Sequence, residues 1–194
     1  MTEVIPIGIV MWGKEKVGKS TIVNVWSDIP QPSSYDHHEP RKVEVDYSIG
    51  KTTLKLQIYD VAAENIEDNS VTMETHNKSG PIQIFVMSAN EDNDDVDYCR
   101  TLFESPMWNA DDVKLTVIIL NKIDIQHNNN EELLKSFLEK YPKVLFFKTT
   151  INDTEGIKKV LSTIVQEYAS ETGIKLSKKT KKEKGSKKQG CKNQ

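Results

Sequence analysis

Trp12-Gly13-Lys14-Glu15-Lys16-Val17-Gly18-Lys19-Ser20-Thr21 decides the fold, because it joins two segments of different periodicity. Before it, Glu3 to Trp12 is rich in Ile and Val and reads as a buried strand. After it, Lys19 to about Ser27 reads as a helix, which the Pro and Ser cluster at 30–34 breaks to open a long loop. The junction matches G-x-x-x-x-G-K-[ST]. Its glycines let the backbone wrap close to a polyphosphate, and successive N–H groups point inward as an anion nest. The positive end of the helix dipole aims at the same place. Gly13, Lys14, Glu15, Lys16, Val17, Gly18, Lys19, Ser20 and Thr21 are therefore the candidate phosphate-binding residues. Lys19 is suited to the β- and γ-phosphates, and the Ser20 hydroxyl to Mg²⁺.

Outward from this loop, strand and helix patterns alternate. Lys42 to Ser48 and Thr52 to Asp60 show period-2 alternation and read as a hairpin. Ile82 to Ala89 and Val113 to Leu120 are apolar runs of strand length, and Lys143 to Lys148 supplies a sixth strand. Glu131 to Tyr141 and Asp153 to Glu171 have helical spacing, the latter with Asp153 as its cap. The pattern predicts an α/β fold: a six-stranded, mostly parallel sheet with one antiparallel edge strand and helices on both faces. Ligands of such sheets sit beyond the carboxyl ends of the strands.

Length and charge agree with one domain and a tail. The chain has 194 residues and a net charge of −3. From Gly173 to Gln194 there are nine Lys against Glu183 alone, about +8, which leaves a body with 17 Lys and Arg against 28 acids, about −11. The expected division is a globular domain at 1–172 and a disordered polybasic tail at 173–194. An acidic body argues against nucleic-acid binding. Ile5 to Trp12 is too short to span a bilayer and lacks the basic front of a signal peptide. Thr2 excludes N-myristoylation, and two cysteines fit a reducing cytosolic setting.

After Val117-Ile118-Ile119-Leu120 comes Asn121-Lys122-Ile123-Asp124, an N-K-x-D pattern at a strand end. A carboxylate there can accept from both N1–H and the 2-amino group of guanine, a pair that adenine lacks. A site built for bidentate hydrogen bonding rejects a base that leaves its polar groups unpaired.

With these two motifs the chain resembles the Ras superfamily of small GTPases over roughly residues 3–172. The resemblance implies GTP or GDP as ligand, Mg²⁺ as cofactor, and Asp60, in Asp60-Val61-Ala62-Ala63-Glu64-Asn65, holding the metal through water. It places Thr150, Ile151 and Asn152, in Lys148-Thr149-Thr150-Ile151-Asn152, at the guanine beside Asn121, Lys122 and Asp124. Tyr35-Asp36-His37-His38 lies where the first switch loop lies in the family. No insertion separates Asp124 from Glu131, which favours the Ras-like and Rab-like branches over the Rho branch.

Departures from the family pattern carry chemistry. His38 stands where a Thr would bind Mg²⁺, and imidazole is a poor ligand for that ion. Ala63 replaces the glycine whose N–H meets the γ-phosphate, and Glu64 replaces the water-positioning Gln at the catalytic position. A carboxylate only accepts hydrogen bonds, so Glu64 implies slow GTP hydrolysis. Glu15 obstructs an incoming arginine finger. Gln31 takes the place of the guanine-stacking aromatic, and Asn152 that of a lysine whose stem packs on the base.

The polybasic stretch suits an anionic membrane surface, at about 1 kcal/mol per Lys. Cys191-Lys192-Asn193-Gln194 places a cysteine fourth from the end, as in prenylated sequences, with Cys191 the lipidation candidate. The resemblance thus implies a monomeric, membrane-associated switch on the cytosolic face, in vesicle traffic or signalling, with effectors and exchange factors as protein partners. Two other readings stay open: an interaction module of the same fold without turnover, and an ATP-using enzyme with the same phosphate loop. Asp36-His37-His38-Glu39 reads as a solvated loop more readily than as a metal site. The acidic run Glu91 to Asp97 reads as a solvated face, and Trp26, Trp108 and Cys99 as packing residues.

Overall fold

Long runs of Ile, Val, Phe and Met are buried at every position only when a strand has neighbours on both edges and helices on both faces. In the computed structural model, which describes residues 4–33, 41–49, 52–61, 80–89, 94–104, 113–125 and 130–176, three strands carry such a buried run, from Ile7 onward in the first and at all but Thr116 in the third. They are β1 (Val4–Trp12), β4 (Ile82–Ser88) and β5 (Leu115–Asn121). The hairpin strands β2 (Arg41–Ile49) and β3 (Thr52–Asp60) alternate instead. With β6 (Leu145–Lys148) they form one six-stranded sheet in the order β2-β3-β1-β4-β5-β6. The β2–β3 pair is antiparallel, with Arg41 opposite Asp60, and every other pair is parallel. The predicted sheet is the observed one.

Four helices are described: α1 (Lys19–Trp26), α2 (Asp94–Phe103), α3 (Asn130–Lys140) and α4 (Thr154–Thr172). Ile22 and Val23 of α1 and Ile157, Leu161, Ile164 and Val165 of α4 share one apolar layer with Ile7, Ile9 and Met11 of β1. Val96, Cys99 and Leu102 of α2 and Leu134 and Phe137 of α3 share the other with Val10, Trp12, Phe85 and Met87. Trp26 Nε1 donates to Ile157 O at 2.8 Å and ties α1 to α4. The Asp153 carboxylate accepts from Gly156 N at 2.8 Å and caps α4, as its position predicts. Beyond α4, Ile174 and Leu176 pack on the core, and the Thr52 hydroxyl donates to Lys175 O at 3.5 Å.

One reading is corrected here. Residues 94–97 open α2, where Asp97 is exposed as expected, but Asp95 and Val96 are buried. Asp95 accepts from Ser88 N at 3.0 Å at the end of β4, and residues 91–93 lie outside the described residues. Val96, Cys99 and Leu102 have the spacing of a helix face, but the surrounding acids obscure it in the sequence. Trp26 and Cys99 are core residues, as expected, and burial pushes the Cys99 thiol pKa far up. Trp108 lies outside the described residues, as do His37 and His38. No described helix is long and apolar enough to cross a membrane.

Candidate functional site

The strand order makes the site. From β1 the chain visits β3 on one side and β4 on the other, so the sheet's order reverses beside β1, and its carboxyl end opens into a crevice. The loop from Gly13 to Gly18 leaves β1 at that point. Its backbone takes left-handed values at Gly13 (φ 141°), Lys16 (φ 59°) and Gly18 (φ 100°). Two of these places admit only glycine for a second reason, close approach. A Cβ on Gly13 would collide with Val86 O of β4, and one on Gly18 with the side-chain amide of Asn121.

Lys19, the first residue of α1, is 7% exposed, and its Nζ donates to Gly13 O and Lys14 O, both at 2.8 Å. The ammonium therefore curls back over the loop that would hold phosphate. Burial draws its pKa below the ordinary lysine value, while the carboxylates of Asp60, Glu15 and Asp95 act in the opposite direction. Ser20 and Thr21 follow in the first turn of α1, half-buried, and Gln31 reaches back to donate to Thr21 O at 3.0 Å.

Asn121 ends β5 and is 4% exposed. Its Nδ2 donates to Val17 O at 2.9 Å, and its Oδ1 accepts from the Thr149 hydroxyl at 3.0 Å. One side chain thus staples the phosphate loop to the loop after β6. Thr149 N donates to Leu120 O at 2.9 Å, and Ile123 N to Thr149 O at 3.3 Å, which fixes the two loops side by side. The sequence reading assigns Asn121 to the guanine, and here both ends of its amide bond to protein. It omits Thr149, whose signal lies in its hydroxyl and its place directly after the β6 strand.

Beyond the staple is a second group. Asp124 is exposed and accepts from Asn152 Nδ2 at 2.9 Å, while Asn152 N donates to the Thr150 hydroxyl at 3.2 Å. Hydrogen bonds from the Thr150 side chain, from its own backbone and from Asn152 hold the Asp124 carboxyl below the usual carboxylate range, against desolvation. Lys122 is held at φ 62°, and Ile151 is exposed. The residues expected at guanine therefore sit together at the ends of β5 and β6.

On the other side of β1, Asp60 ends β3 beside Met11 and is buried. Its Oδ2 accepts from Arg41 Nε at 3.2 Å. Ser20 hydroxyl and Asp60 carboxylate are the hard oxygen donors that Mg²⁺ takes from a protein when phosphates and water complete its shell. By donor type the pair fits the ion, with Arg41 already on the carboxylate. Among the described residues no group of three His, Cys, Asp or Glu could hold a metal by itself. The expected contributions of His38, Ala63, Glu64 and Cys191 fall outside the described residues.

A left-handed glycine loop at the switch point of a mostly parallel sheet, stapled to the loop carrying N-K-x-D, is the architecture of a P-loop GTPase domain. The Ras family model matches residues 8–170, and the chain belongs to that family of small GTP-binding proteins. No curated protein matches the chain.

Proposed function

We propose that this small GTP-binding protein is a membrane-associated switch that hydrolyses GTP slowly. In this reading the backbone of Gly13 to Gly18, with Lys19, Ser20 and Thr21, receives the phosphates. Lys122, Asp124 and the 150–152 loop receive guanine, with Asn121 holding the two halves in register. Ser20 and Asp60 would hold Mg²⁺, which when bound neutralises phosphate charge. Lys19 would shield the same charge from within the protein, its ammonium turning from the Gly13 and Lys14 carbonyls to donate to phosphate oxygens. The observation that carries the reading is the Asn121 staple, because it brings a phosphate loop and an exposed, ionised Asp124 to one crevice.

Calorimetry with GDP, GTP and ATP tests it: guanine nucleotides bind and ATP does not. Asp124→Asn shifts preference from guanine to xanthine nucleotides, and GTP binding untouched by that change refutes the base assignment. Slow hydrolysis rests on Glu64, an acceptor where a donor is needed. Turnover at or above the ordinary Ras-like rate, about 10⁻⁴ per second, refutes that part. The lysine-rich segment after residue 176 and Cys191 support attachment to the cytosolic face of a membrane, in traffic or signalling, as a monomer. Sedimentation with anionic vesicles and mass spectrometry of the C-terminus in its own cells test this.

A further inference from the structure

Arg41 begins β2 directly across the hairpin from Asp60, and its side chain runs along the metal side of the crevice. Its Nε donates to Asp60 Oδ2 at 3.2 Å, and its Nη2 donates to Asn24 Oδ1 at 2.6 Å and lies 3.5 Å from Ser20 O. Asn24 is 4% exposed on a helix whose other inward residues are mostly apolar. A buried amide in such a place needs partners. Its Oδ1 has the guanidinium, and its Nδ2 donates to Gln31 Oε1 at 3.3 Å. The guanidinium is thereby held by a buried amide and a buried carboxylate, rather than lying loose on the surface. Its charge lies on the Asp60 carboxylate and within 3.5 Å of the backbone carbonyl of Ser20, the two residues that would ligate Mg²⁺.

We propose that Arg41 is a resident cation of the nucleotide site, which neutralises Asp60 and makes retention of a guanine nucleotide largely independent of Mg²⁺. The proposal rests on the nucleotide-binding reading above. A guanidinium stays protonated at every working pH. A dication approaching Asp60 meets that positive charge on the same carboxylate, and repulsion at this range weakens its binding by about tenfold even under full screening by water. The same charge supplies part of what the phosphates would otherwise draw from the metal.

The test uses the full chain loaded with a fluorescent GDP analogue. Its release is followed in millimolar Mg²⁺ and in excess EDTA for the wild type, Arg41→Lys and Arg41→Gln. The first variant keeps the charge; the second removes it but can still donate to Asn24. EDTA is expected to speed release from the wild type and Arg41→Lys by less than about threefold, and from Arg41→Gln by about tenfold or more. Titration of the GDP complex with Mg²⁺ should show correspondingly tighter metal binding in Arg41→Gln. Equal EDTA responses in folded wild type and Arg41→Gln overturn the proposal and leave nucleotide binding intact. So does a wild-type release that EDTA alone accelerates beyond about tenfold, a result that needs no variant to fold. Failure of all three proteins to retain GDP overturns the nucleotide reading and this proposal with it.

Discussion

Replacing Asn121 by alanine removes a buried side chain that bridges the phosphate loop and the loop after β6. Two buried hydrogen bonds are lost, to Val17 O and from the Thr149 hydroxyl. Each is worth about 1 kcal/mol net, and a buried group left without its partner costs about 1–3 kcal/mol. The Thr149 hydroxyl can turn and the Val17 carbonyl can meet water through the crevice, so the expected loss is about 2–4 kcal/mol. With a urea m-value of about 2 kcal/mol/M, the unfolding midpoint falls by about 1–2 M at unchanged slope. Thr149→Val, which removes one bond of the two, costs about 1 kcal/mol. The double variant costs less than the sum of the singles, by about 0.5–1.5 kcal/mol, because both changes break the same contact. A loss below about 0.5 kcal/mol for Asn121→Ala, the scale of an ordinary surface change, would refute the staple. So would strict additivity in the cycle.

Other outcomes follow from single contacts. Trp26→Ala empties the seat between α1 and α4, costs about 3–5 kcal/mol and lowers the melting temperature by about 6–20 °C. Trp26→Phe keeps most of the packing and loses the bond to Ile157 O, a loss of about 1–2 kcal/mol by the same melt. Thr150→Val removes the largest contribution holding the Asp124 carboxyl low, so the Asp124 pKa rises toward the ordinary range, read by carboxyl NMR titration. Because that folded-state pKa is depressed, its contribution is full at neutral pH. It disappears only as pH falls below the ordinary Asp range and through the folded value. Asp153→Ala uncaps α4 and costs about 1 kcal/mol in urea. Cys99 resists thiol reagents in the native protein and reacts in denaturant, since burial disfavours its thiolate.

Much of this architecture is legible in the sequence because its signals are local. The apolar runs of β1, β4 and β5 announce a doubly covered sheet, and the loop from Gly13 to Ser20 declares itself by spacing. What is hidden depends on register or on sequence-distant partners. Arg41 looks like an ordinary basic residue until the β2–β3 pairing sets it opposite Asp60. Asn24 looks like a flaw on a buried helix face until Arg41 fills it. Asn121 reads as a base ligand because its motif is a base motif, whereas its bonds to Val17 and Thr149 come from loops 104 and 28 residues away. The α2 helix is masked by composition: acids crowd its first turn, and its apolar face shows only at Val96, Cys99 and Leu102.

The contact between Thr52 and Lys175 has a directional consequence. Thr52 and Asp60 are the two ends of β3, eight residue steps apart, and at about 3.3 Å per step the strand is roughly 26 Å long. Lys175 thus lies beside the amino end of β3, while the crevice opens at its carboxyl end. The last described residues and the mouth of the crevice are therefore held at opposite ends of the same strand.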